Sequence, residues 1–179
     1  MKGLKHFILL AFLITSFCGL ITLSVQQSYR QGANDPQIQM SEDSSNQLSN
    51  GLSAETLLPE TSPKVDIAKS LDSFLIIYSD KGDVLESSAT LNGKTPPIPN
   101  GILDLARQKG QLRFTWQPDN GVRIAAVITY FKGQNTGFVL AGRNLREVEI
   151  REQSMEMKAA AVWALTVAGT FLLTLLRIY

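Results

Sequence analysis

From Gln111 to Leu145 apolar and polar residues alternate with a period of two, which predicts strands. Leu112, Phe114 and Trp116 alternate with Arg113, Thr115 and Gln117, and then Ile124, Ala126, Ile128 and Tyr130 with Arg123, Ala125, Val127 and Thr129. The turn Pro118-Asp119-Asn120-Gly121 allows several registers. A three-residue loop that pairs Pro118 with Val122 and puts Gly121 in the left-handed region is preferred, because a one-residue slip would mix Trp116 with Arg123. Carrying the register through Lys132 to Thr136 adds Phe138 and Leu140 to the apolar face. The other face then collects Arg113, Thr115, Gln117, Arg123, Thr129 and Arg143. Trp116 and Tyr130 read as core residues rather than recognition residues.

Upstream, the continuous apolar run Ser73 to Ser79 predicts a central strand buried on both faces, and Gly82 to Thr90 a second strand after a tight turn. Asn92-Gly93 and Thr95-Pro96-Pro97 break the chain. Asn100 is a candidate cap for a short helix over 101–109, with Ile102, Leu103, Leu105 and Ala106 on its buried side and Gly110 ending it. Asp35-Pro36 has the form of an N-cap followed by a first-turn proline, and Ile38, Leu48 and Leu52 give that helix a thin apolar stripe. A partly disordered stalk over 37–63 is the rival reading, given its polarity. Val65 to Leu71 reads as a second short helix.

The two ends carry a different pattern. Phe7 to Val25 is an uncharged run long enough to cross a hydrocarbon core of roughly 30 Å, and Ala159 to Leu176 is another. A cleaved signal peptide competes for the first, but the run exceeds the usual roughly 7 to 15 residues and no clear A-x-A-like site follows. Phe17 before Cys18 disfavours a lipoprotein cysteine. The second run continues, without a breaker, a helix that opens at Arg143 or Asn144. Its heptad-like seam is interrupted by Glu152. Ala160, Ala164 and Ala168 form a small-residue stripe that would allow a homodimer or be incidental.

Charge sharpens this partition. The net charge is +1, which gives no general drive toward nucleic acid. All 16 acidic residues lie between Asp35 and Glu156. The lone His6 and lone Cys18 sit in or beside the first apolar run, so the middle of one chain builds no Cys/His metal site, disulfide, Cys nucleophile or His base. Paired acids such as Glu42 with Asp43, or Asp80 with Asp83, fall in helix-surface or turn contexts. No catalytic residue, metal or cofactor is expected, and the chain is not read as an enzyme.

The predicted order is long helix, two strands, short helix, three-strand meander, long helix. With the stretches FLIIYSDKGDVLESSATLNGK, RFTWQPDNGVRIAAVITY and GFVLAGRNLREVE, over about Phe74 to Glu149, the chain resembles a single Cache or PAS-like extracytoplasmic sensor domain. Such domains occur in bacterial two-span histidine kinases and chemoreceptors. The resemblance implies an α+β fold with a five-stranded antiparallel sheet, a long N-terminal helix, a short helix between strands 2 and 3, and two flanking transmembrane helices. The expected division is a tail at 1–6, a span at 7–25, a juxtamembrane helix and linker at 26–72, the sensor domain at 73–145, an exit helix at 146–158, a span at 159–176 and a tail at 177–179. It also implies a small ligand or a relayed signal.

The chain departs from those receptors after the second span. It stops at Arg177-Ile178-Tyr179 with no ATP-binding box or phosphoacceptor domain, so a signal is expected to pass to a separate membrane or cytoplasmic partner protein. Arg113, Arg123 and Arg143 are the candidate ligand-binding residues, because guanidinium forks suit a small anion. A solvated face, or pairing with Asp66, Asp72 and Glu86, is the plain alternative. Lys2 and Lys5 favour a cytoplasmic N-terminus in a bacterial inner membrane, N-in and C-in with the domain outside. Arg143, Arg146, Arg151 and Lys158 argue the other way, but long loops are largely exempt from that rule. A structural or assembly protein whose domain is a protein-binding platform is the second functional expectation.

Overall fold

A computed structural model describes residues 2–32 and 34–176. The chain forms two compact units: Gly32–Glu147, and a helical unit made of the segments up to Gln31 and from Val148 onward. The tail expected at 177–179 and Met1 of the tail expected at 1–6 lie outside the described residues.

In chain order the elements are α1 (Lys2–Gly32), α2 (Asp35–Ser49), α3 (Ala54–Leu57), β1 (Val65–Asp66), β2 (Phe74–Ser79), β3 (Val84–Ser87), β4 (Ala89–Thr90), α4 (Ile102–Lys109), β5 (Gln111–Asp119), β6 (Val122–Lys132), β7 (Thr136–Asn144) and α5 (Arg146–Leu176). The fold is α+β. Its main sheet has five antiparallel strands in the order β3-β2-β7-β6-β5, an arrangement compatible with a PAS/Cache-like sheet.

The period-two pattern sets the register of the meander. Trp116 pairs with Ile124, Phe114 with Ala126 and Lys132 with Thr136. The turn itself differs from expectation. Asp119 pairs with Val122, leaving a two-residue turn at Asn120-Gly121, and a register shift between Trp116 and Asp119 takes up the extra residue. Pro118 lies in that shift, where its missing N–H leaves no ladder bond unmade. Gly121 does occupy the left-handed region, at φ 74°.

Four local expectations are overturned. The second strand over Gly82 to Thr90 is split: β3 pairs with β2, while β4 leaves the sheet and pairs in parallel with β1. The helix read at Val65 to Leu71 is instead β1 followed by a turn. Asp66 Oδ1 accepts from Ala68 N at 3.1 Å, a side-chain bond that competes with helix, and the one helix-like turn that Ser70 N closes on Asp66 O at 2.8 Å is not continued. Asn34, not Asp35, stands at the cap of α2, and Gly101, not Asn100, at that of α4; neither makes a side-chain cap bond.

The sheet has an apolar core on each face. On one, Phe74, Ile76, Tyr78, Trp116, Ile124, Ile128, Phe138 and Leu140 pack with Ile67, Ala89 and Ala106. Within α4, Ala106 is buried while Leu105 stays exposed, so the expected buried side is narrower. On the other face Leu75, Ile77, Phe131, Val139 and Ala141 pack with Leu48 and Leu58.

Helix α2 lies over β6 and β7; of the expected stripe of Ile38, Leu48 and Leu52 only Leu48 is buried, and Gln37, Ser41, Ser44 and Ser45 make up the rest of its buried side. One of these serines meets a hydroxyl of the sheet. Ser41 Oγ lies 2.9 Å from Thr129 Oγ1.

In the helical unit α1 and α5 are each 31 residues long, and both are long and apolar enough to cross a membrane. They pack antiparallel. Phe7 meets Phe171 edge-to-face with ring centroids 5.2 Å apart, Trp163 Nε1 donates to Thr15 Oγ1 at 2.9 Å, and Gln26 Nε2 donates to Glu156 Oε1.

Candidate functional site

The strand register brings the three candidate arginines onto one face of the sheet. Ala125 pairs with Thr115 on one side and Arg143 on the other, and Val127 with Arg113 and Ala141. Arg123 lies two residues from Ala125 on β6, on the same face. All three side chains are exposed. Arg143 is already engaged, its Nε donating to Leu71 O at 2.8 Å. Among the acids offered as partners, Asp66 ion-pairs with Lys69 at 3.1 Å. The bond from Lys69, with the Ala68 N–H behind it, holds that carboxyl below its ordinary pKa.

The last strand passes into α5 through a tied junction. Asn144 is buried at 5 % exposure. Its Nδ2 donates to Ile67 O at 2.7 Å and its Oδ1 accepts from Arg146 N at 2.8 Å. Arg146 Nη2 donates to Lys69 O at 3.0 Å. With Arg143 on Leu71, three polar residues around the strand end, Arg143, Asn144 and Arg146, hold the carbonyls of Leu71, Ile67 and Lys69. A short polar residue just before a helix is a familiar capping signal. What Asn144 grips could not be read without knowing that the turn after β1 comes back to it.

A fourth arginine, Arg107 of α4, escaped the strand-based reading because it lies on a helix. Its Nη2 donates to Asp80 O at 2.6 Å, and the guanidinium sits 5.0 Å from the Phe138 ring centroid and 5.7 Å from that of Tyr130. On β2 the Tyr78 hydroxyl is buried without a hydrogen-bond partner, and burial pushes the phenol well above its ordinary pKa.

Two concavities among the described residues bear on binding. A polar groove of about 330 Å³ runs between α2 and the end of β6. In the helical unit a more apolar one of about 80 Å³ is lined by Ile21, Val25, Met155 and Ala159, with Glu152 and Glu156. Neither is lined by Arg113, Arg123 or Arg143. Among the described residues, no three His, Cys, Asp or Glu side chains converge to hold a metal ion. No protein-family model, curated protein or solved structure matches the chain.

Proposed function

We propose that the chain is a membrane-anchored, extracytoplasmic sensor-like module of the PAS/Cache type. It binds a small ligand or partner protein and passes a conformational bias through its membrane helices to a separate protein. The junction of β7 with α5 carries the reading. Asn144 joins the sheet, the turn after β1 and the first residue of α5 in one hydrogen-bonded node, and α5 runs unbroken from Arg146 to Leu176. A shift of β7 against the 67–71 segment would therefore act on the start of a helix that also forms a membrane span.

In this reading α1 and α5 cross a bacterial inner membrane with both termini inside. Their apolar side chains, such as Phe12, Phe17, Leu165 and Leu173, are largely exposed and call for lipid. The exposed arginines Arg113 and Arg123, with Arg143 beside them, are the proposed contacts for an anionic ligand. Mild crosslinking and purification of the intact protein from its native membrane tests the reading. A stoichiometric partner held through the spans is expected; recovery of the chain alone at every stage would leave the signal no route and overturn it.

A second reading, a non-catalytic assembly platform, has its own support. Val84 and Leu85 on the edge strand β3 are 45 % and 50 % exposed, and an open apolar edge is a template for another chain.

A further inference from the structure

We propose that the groove between α2 and the open end of β6 binds a short peptide with a free α-ammonium group, a tripeptide being the length that fills it. The pairing of β6 on this side ends early. Gln111 pairs with Thr129, and the next bond across runs from Tyr130 N to Gly110 O at 2.8 Å. Gly110 caps α4 and gives its own N–H to Ala106 O at 2.8 Å, so the strand pairing ends there. In an antiparallel ladder the N–H and C=O of every second residue face the same side. The Tyr130 C=O and both backbone groups of Lys132 therefore point where no strand accompanies them. Such groups form a template for an extended backbone.

Helix α2 supplies the facing wall. Glu42, Ser45, Asn46 and Ser49 are spaced i, i+3, i+4 and i+7, which puts them on one stripe, and they line the groove with residues 129–132. One end is closed by Gln111 Nε2, which donates to Glu42 Oε1 at 2.9 Å and Thr129 Oγ1 at 3.2 Å. The other is closed where Gln134 N donates to Ser49 O at 2.8 Å. Three steps along β6 and seven along α2 each make a wall of about 10 Å, the span of roughly three extended residues. A volume of about 330 Å³ lies at the low end for small-molecule sites, which suits a short peptide rather than a folded partner.

The chemistry of the walls selects the ligand's charge. Alternation turns the Lys132 side chain with Tyr130 to the opposite face, so Lys132 offers the groove its backbone edge and Glu42 offers the charge. A carboxylate at one end fits an ammonium, and hydroxyl and amide side chains fit peptide groups. The site stands independently of the relay proposed above, since it concerns binding alone.

Calorimetry on the full chain in lipid nanodiscs tests it with trialanine, N-acetyl-trialanine, trialanine N-methylated at its middle residue, and free alanine. Trialanine is expected to saturate one site. Acetylation of the peptide, or Glu42→Gln in the protein, should weaken binding about tenfold or more, the loss of one charge-assisted hydrogen bond. N-methylation should weaken it also, by removing a backbone donor with the protein unchanged. Glu42 is exposed, so its glutamine variant keeps the fold, which the emission of buried Trp116 checks in a Trp163→Phe background. Absence of saturable binding by trialanine, equal binding by free alanine, or indifference to both acetylation and Glu42→Gln would overturn the proposal.

Discussion

Replacing Asn144 with leucine, a side chain of similar size, removes both bonds of the strand–helix junction without opening a cavity. The lost pair, to Ile67 O at 2.7 Å and from Arg146 N at 2.8 Å, contributes about 1 kcal/mol per bond. Ile67 is fully buried, so its carbonyl loses its partner away from water, which adds about 1 kcal/mol or more. The Arg146 N–H lies near the surface and regains a water. The expected loss is therefore about 2–3 kcal/mol. Urea unfolding of the intact protein in nanodiscs measures it, in a Trp163→Phe background that leaves Trp116 as the sole indole. With a urea dependence of about 2 kcal/mol per molar, the midpoint should fall by roughly 1 M. Arg143→Ala and Arg146→Ala, which each remove one exposed bond, should cost about 1 kcal/mol or less. A loss below about 0.5 kcal/mol in Asn144→Leu would refute the junction as a structural node.

Other expectations are independent of that node. Tyr78→Phe removes a buried hydroxyl that has no partner and should stabilise the sheet unit by about 1 kcal/mol; a comparable loss would mean that the hydroxyl is satisfied. The folded state holds that phenol neutral beyond its ordinary pKa of 10.0, so its contribution is full below pH 10 and is lost as the pH rises further. A phenolate absorbance titration should show one tyrosine ionising only as the sheet unfolds. Asp66 works in the opposite sense: its lowered pKa favours folding above the ordinary 3.8 and ceases to help as the pH falls below it, an acid dependence that Asp66→Asn should abolish. Gly142→Ala would bring a Cβ within 2.3 Å of Phe74 Cζ and should destabilise by about 1–3 kcal/mol through overpacking. For the arginine face, calorimetry with small organic acids should show binding that Arg113→Ala or Arg123→Ala weakens about tenfold; binding unchanged in both variants would remove the anion site.

The strands were legible wherever burial alternates. Leu112, Phe114 and Trp116 face one core and Arg113, Thr115 and Gln117 do not, because a half-buried strand writes its two faces into alternate residues. The β1–β4 pair was not legible, since two-residue strands have no period and their pairing rests on contacts 24 residues apart, as in Val65 with Ala89. The apolar residues of α2 point to a stripe through Ile38, Leu48 and Leu52, whereas Gln37, Ser41, Ser44 and Ser45 are buried beside Leu48, and only the tertiary partner makes a serine face a buried one. At the candidate site, alternation alone placed the three arginines together. It could not show that Arg143 reaches Leu71 O, nor that β5 ends short of β6, because each depends on where a connecting segment returns.

The central claim is that the state of the sheet biases the two membrane helices. Spin labels at Leu13 and Leu165, both exposed on the helical unit, read the separation of α1 and α5 by pulsed dipolar spectroscopy in nanodiscs. The otherwise wild-type chain and Asn144→Leu, both in the Trp163→Phe background, should be compared in buffer where Trp116 emission reports a folded sheet in both. A relay requires the distance distribution to shift or redistribute between two populations when the junction is released. Superimposable distributions would contradict it and leave the domain a tethered binding platform.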